Sequence, residues 1–98
     1  MDVSFEDQSL DRLEADAAFN GGFASAIVQA FRKRLQQIRA ASDERTFYAS
    51  RSLNFEKLKG DREGQYSMPL NDQWRFIVRL QGTAPKKVVV VVAIMDYH

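Results

Sequence analysis

Apolar residues fall along this chain in two rhythms, and the change between them comes near Arg51. Over residues 23–41, Phe23, Ile27, Phe31, Leu35 and Ile38 recur at spacings of four, four, four and three. That spacing draws one apolar stripe down a helix, with Arg32, Lys33, Arg34 and Arg39 beside or opposite it. A shorter helix is predicted over residues 8–18, where Leu10, Leu13 and Ala17 share a face and Asp7 stands in front as N-cap. Asn20-Gly21-Gly22 breaks the two apart. Ahead of both, residues 3–5 suit a short opening strand.

Beyond Arg51 the period becomes two. Residues 54–59 read as a short strand, ended by the turn signal Gly60-Asp61-Arg62-Glu63-Gly64. Tyr66, Met68 and Leu70 then alternate with Gln65, Ser67 and Pro69, a strand with one buried face. Pro69 cannot donate to a ladder, so it marks an edge position or a bulge. Asn71-Asp72 turns the chain into a strand where Trp74, Phe76, Val78 and Leu80 share one face and Arg75, Ile77 and Arg79 the other. After a loop over residues 82–85, every position from Val88 to Met95 is apolar, which predicts a central strand covered on both sides. The expected fold class is α+β: two N-terminal helices packed on one face of a mainly antiparallel sheet of four to five strands. With no linker, repeat or low-complexity tract, residues 1–98 make a single domain.

Composition narrows the function classes. The absence of cysteine excludes disulfides and thiolate metal sites and fits a reducing cytoplasm. The longest apolar run is far below the roughly 18 residues that span a bilayer. Met1-Asp2-Val3-Ser4 lacks the positive and apolar regions of a secretory signal, so a cytoplasmic protein is expected. The net charge of +1 is unevenly spread. Residues 1–31 hold one cation against six acids, giving −5, and residues 32–98 hold thirteen cations against seven acids, giving +6. A polyanion is drawn to the later part of the chain, unless these are unrelated solvated charges.

Three segments can carry chemistry: residues 58–67, the stretch Asn71-Asp72-Gln73-Trp74-Arg75, and Asp96-Tyr97-His98. The first collects Lys59 and Arg62 beside Gly60 and Gly64, whose backbone N–H groups can approach an anion closely. Taken alone, it reads first as a charged hairpin turn. Arg75 sits mid-strand among apolar neighbours and must pair, snorkel or face a functional surface. A solvated outer face shared with Arg79 explains it as well. His98 is the sole histidine. In a continued strand Asp96 and His98 point to one face and Tyr97 to the other, so the carboxylate can orient the imidazole and raise its pKa for acid/base work.

In this order and at these spacings, Leu58 to Ser67, Trp74-Arg75 and Asp96-Tyr97-His98 together resemble the HigB toxins of the RelE superfamily, with a matching Ser4-Phe5 opening. The resemblance implies a RelE-like fold and ribosome-dependent cleavage of messenger RNA in the ribosomal A site, with no cofactor. It places the family's functional lysine on Lys59, its strand arginine on Arg75 and its terminal cluster on Asp96, Tyr97 and His98. Arg62, Gln73 and Arg79 are the expected RNA contacts, and a helix-turn-helix antitoxin of the HigA type is the expected partner.

Two positions depart from the pattern. Glu56 stands where some members carry histidine, although a carboxylate can also act as acid or base. Gln73 stands where an asparagine precedes the tryptophan. The chemistry suits these residue types. RNA supplies its own nucleophile, the 2′-hydroxyl, so the enzyme must move protons and stabilise charge on the phosphoryl oxygens. Lys59 and Arg75 suit the charge, His98 the proton, and Tyr97 a hydrogen bond or a stacked base. No cluster has metal-ligand spacing, so a metal-free route is expected. Two other classes share these features: a ParE-type toxin that inhibits DNA gyrase by binding, and an RNA-binding module that does not cut.

Overall fold

Two amphipathic helices can bury their apolar stripes only against a matching apolar sheet face, and that requirement organises the molecule. The computed structural model describes residues 1–83 and 86–96. Among these it has three α-helices and a five-stranded sheet. Strand β1 (Asp2–Phe5) leads into α1 (Gln8–Ala15), α2 (Ser25–Ala40) and α3 (Arg45–Ala49), followed by β2 (Glu56–Lys57), β3 (Gln65–Pro69), β4 (Trp74–Gln81) and β5 (Val88–Asp96). The sheet order is β1-β5-β4-β3-β2, antiparallel except where β1 lies parallel to β5. This is the expected α+β class.

The alternation along β4 decides which face is which. Phe76 meets Phe31 of α2 edge to face at 5.1 Å, and Trp74 meets Phe23 in the same way at 5.7 Å. With them Leu10, Leu13, Leu35, Ile38, Met68, Val78, Val89 and Val91 form the core. Arg75, Ile77 and Arg79 therefore point away from the helices.

Strand β5 is closed off at Val89, Val90 and Val91 but only half-buried from Val92 to Met95. Full cover on both sides thus holds for one part of the apolar run. The register shifts between Ile77 and Val78, leaving Val92 as the extra residue of β5. Pro69 is tolerated because β2 reaches only as far as Ser67, so β3 is an edge strand at that point.

The helices are shorter than their apolar pattern. The Asp16 side chain accepts from the Ala18 N–H at 3.0 Å, and its own backbone is extended, which ends α1 at Ala15. Asn20 does the same for Gly22 at 2.9 Å, and helical geometry resumes only at Ser25. Arg32 then binds the two helices. Its guanidinium donates to the carbonyls of Leu13, Asp16 and Phe19 at 2.9, 3.0 and 3.3 Å, tying the last turn of α1 and the chain that follows it to α2.

Candidate functional site

Polar chemistry collects on the sheet face turned away from the helices. Glu56 pairs with Ser67 and Ser67 with Ile77, so these side chains share the face of Arg75, which stands one diagonal step along β4. One Arg75 Nη2 donates to Ser67 Oγ at 2.9 Å and to Glu56 Oε2 at 3.1 Å. Three neighbouring strands thus contribute one residue each. Ser67 is wholly buried, and its hydroxyl is a fixed acceptor for the guanidinium. The Arg75 side chain is only 14% exposed against 53% for Glu56. The cation is held within the sheet surface while its carboxylate partner stands towards solvent. A guanidinium stays charged at any ordinary pH, so the site keeps a positive charge that suits an anionic partner.

Further along the same face, Arg79 donates to Glu6 Oε1 at 3.3 Å and to Gln81 Oε1 at 2.9 Å. Arg62 donates to Gln65 Oε1 at 2.9 Å, and Gln65 is the cross-strand neighbour of Arg79. Arg62 and Arg79 are therefore gathered at the far end of the face that holds Arg75.

Gln73 is engaged within the protein. Its amide donates to Asp96 Oδ2 at 2.9 Å, and Asp96 pairs with Trp74. Asn71 Oδ1 accepts from the N–H groups of Gln73 and Trp74 at 2.9 and 2.7 Å, which fixes the turn into β4. Gln73 and Asp96 thus come together beside the start of β4, but Asp96, opposite Trp74, belongs to the helix-packed face of the sheet and not to the face of Arg75. Tyr97 and His98 follow Asp96 and lie outside the described residues.

Lys59 is not brought to Arg75. It lies three residues past Glu56, about 10 Å of extended chain, where the Leu58 N–H still bonds Gln65 O at 2.9 Å. There it lines a groove of about 700 Å³ with Lys57, Leu58, Gly60, Glu63, Gly64 and Tyr66. Behind the groove, Tyr66 stacks on Phe55 with centroids 4.8 Å apart, and Tyr48 stands edge-on to Phe55 at 5.0 Å. Although Tyr48 is largely exposed, partial desolvation and then its neighbour Tyr66 push its phenol above its ordinary pKa.

Sequence reasoning found Arg75 but not Ser67 as its partner, and noted Glu56 as a departure able to act as acid or base, not as a partner of Arg75. The available signal was that Ser67 stands opposite the apolar face of β3, between Tyr66 and Met68. The aromatic group of Tyr48, Phe55 and Tyr66 was missed because its members come from three separate segments.

The model of the HigB-like toxins, described as RelE-like toxins of type II toxin–antitoxin systems, matches residues 3–98. No curated protein sequence matches the chain. Among solved structures, a YoeB/ParE toxin from Agrobacterium tumefaciens is similar at TM-score 0.67 and 20% identity, covering 100% of both chains. A YoeB–YefM complex from Staphylococcus aureus is similar at TM-score 0.62 and 17% identity, covering 100% of this chain and 97% of that one. A YafQ mutant from E. coli is similar at TM-score 0.51 and 14% identity, covering 98% of this chain and 92% of that one. These likenesses establish the fold, and the family match over nearly the whole length establishes the rest: the chain belongs to the HigB-like, RelE-like toxins of type II toxin–antitoxin systems.

Proposed function

We propose that this toxin is an endoribonuclease that cuts messenger RNA in the ribosomal A site, without a metal, and is held in check by a HigA-type antitoxin. The observation that carries the reading is the partly buried Arg75 cation, fixed by Ser67 and faced by the Glu56 carboxylate. A scissile phosphate placed beside Arg75 meets a fixed positive charge where negative charge develops. Glu56, at hydrogen-bond distance from the same guanidinium, is then beside the 2′-hydroxyl and suited to take its proton. The 2′-oxygen attacks phosphorus, the bond to the 5′-oxygen breaks, and that oxygen needs a proton in return. His98, which follows Asp96 and Tyr97 in the chain, is the candidate donor, and Asp96 is itself bonded by Gln73. Lys59, Arg62 and Arg79 add charge along the RNA path. The products are a 2′,3′-cyclic phosphate and a 5′-hydroxyl.

The ribosome supplies the positioning that so few groups cannot, a contribution of many orders of magnitude in rate. The test is a translation reaction programmed with a defined message and treated with the purified full chain. Cleavage inside codons, with cyclic-phosphate ends, is expected, together with much slower cleavage of naked RNA. Glu56→Gln and Arg75→Gln should each reduce it at least about a hundredfold. Intact message beside inhibited gyrase would replace this reading with a ParE-type one. RNA bound but never cut would leave a binding module.

A further inference from the structure

The groove around Lys57 and Tyr66 is built for something the Arg75 cluster does not use. Lys57 pairs across the sheet with Tyr66, so the two side chains lie next to each other on one face of the edge strand. Lys59 follows two residues on, about 7 Å further along extended chain. Among the described residues neither lysine has an ion-pair partner. Gly60 and Gly64 hold positive φ of 68° and 88°, and a Cβ built on either meets nothing within 4 Å, so the groove is open along its backbone wall. Glu63 is the one carboxylate lining it, which directs an anion to the lysine side. The Tyr66 ring is pinned by Phe55, and Tyr48, the one exposed large apolar side chain among the described residues, stands behind.

Unpaired cations beside a rigid aromatic in a cleft are what single-stranded nucleic acid binds, phosphate on the charges and base on the ring. Resting on the RNA-cutting reading above, we infer that this groove is a second nucleotide subsite, taking one nucleotide of single-stranded RNA next to the one cut at Arg75. The topology allows it. Glu56 and Lys57 are adjacent on opposite faces of β2, and no described strand lies beyond β2. A strand leaving Arg75 therefore rounds that edge directly into the groove.

The test uses the full chain and short single-stranded 2′-O-methyl RNAs, which lack the nucleophile and stay uncut, titrated by fluorescence anisotropy over a salt series. Lys57→Gln should weaken binding several-fold and reduce the slope of log affinity against log salt by about 0.7, the loss of one phosphate contact on a single strand. Tyr66→Leu should weaken binding about tenfold and Tyr66→Phe little, because stacking needs the ring and not the hydroxyl. If Tyr66→Leu does not fold, the Lys57 slope decides. Unchanged affinity and slope in Lys57→Gln, beside clear weakening in Arg75→Gln, would overturn the subsite and leave the RNA reading intact. Failure of the unaltered chain to bind any of these RNAs would overturn both. An acidic peptide that competes on equal terms with RNA for the groove, and loses affinity with Lys57→Gln, would assign it to a protein partner instead.

Discussion

A single hydroxyl decides where the Arg75 charge sits. Arginine has a long, flexible side chain, and on an exposed strand it would sample many positions at a cost in entropy to any bound phosphate. Here Ser67, wholly buried, accepts from the same Nη2 that Glu56 engages. Removing the hydroxyl takes away a buried acceptor that holds the guanidinium against β3 and lets it lean towards β2. A displacement of about 1 Å at a reacting centre can cost about a hundredfold in rate. Ser67→Ala should therefore reduce message cleavage in translation reactions by about ten- to a hundredfold, while thermal stability falls by only about 1 kcal/mol, one hydrogen bond. Cleavage at the full rate by this variant would show that Arg75 needs no support from β3. Glu56 carries the converse argument: it is half-exposed and paired, so replacing it disturbs chemistry more than folding.

At the scale of elements, the ends of α1 are better specified than its middle. Asp7 caps the first turn through Ser9, whose hydroxyl and N–H both donate to Asp7 Oδ1, at 2.6 and 2.9 Å. Those bonds, the hydroxyl first, hold the Asp7 carboxyl below its usual pKa. A carboxyl lowered in the folded state stabilises above its unfolded value, near 4, and that contribution is lost as pH falls through the folded value. Asp7→Ala should destabilise by about 1 kcal/mol at neutral pH. Asp7→Asn should keep most of the cap yet flatten the loss of stability below about pH 4, as read from urea midpoints; an unchanged acid profile would deny Asp7 that role. At the other end, Arg32→Lys should cost about 2 kcal/mol, because one ammonium cannot reach three separated carbonyls. That loss is roughly 10 °C in Tm for a domain of this size, and an unchanged Tm would show that the helices hold together by packing alone. These contacts explain what was legible in the sequence. Period and alternation gave α1, α2, β3, β4 and β5, because each is a local pattern with a buried face. The parallel pairing of Phe5 with Val91 was not legible, since a four-residue strand carries no mark of its partner. Nor was α3, whose five residues are too few to show a period and which is held by burial of Phe47. For the site, a cation among apolar residues exposed Arg75, but Glu56 and Ser67 reach it through cross-strand register, which only the folded sheet sets.

On the scale of the whole molecule, the division of charge along the chain is folded back on itself. The acidic first third does not stay apart: Glu14 forms a two-point pair with Arg39 on α2, and Glu6 reaches Arg79 across the sheet. The first pair links α1 to α2 and draws acid and base together away from the Arg75 face. The second places a carboxylate on the proposed RNA surface, 3.3 Å from a cation that would otherwise meet phosphate. Both Arg79 and Glu6 are partly exposed, so the pair adds little to stability. Its electrostatic effect on a polyanion is larger, because it removes one positive charge and sets a negative one beside the RNA path. Glu6→Gln should therefore tighten binding of uncut single-stranded RNA about threefold at low salt, and steepen the salt dependence by about 0.7 as Arg79 becomes a phosphate contact. Asp11→Asn, the same charge change on exposed α1, should alter affinity far less and leave the slope alone, because a distant surface charge is screened within about 10 Å at ordinary ionic strength. Thermal stability should stay near the unaltered value in both. Equal gains from Glu6→Gln and Asp11→Asn would mean that RNA senses only the net charge of +1; a gain confined to Glu6→Gln would mean that it reads the Arg79 end of this one face.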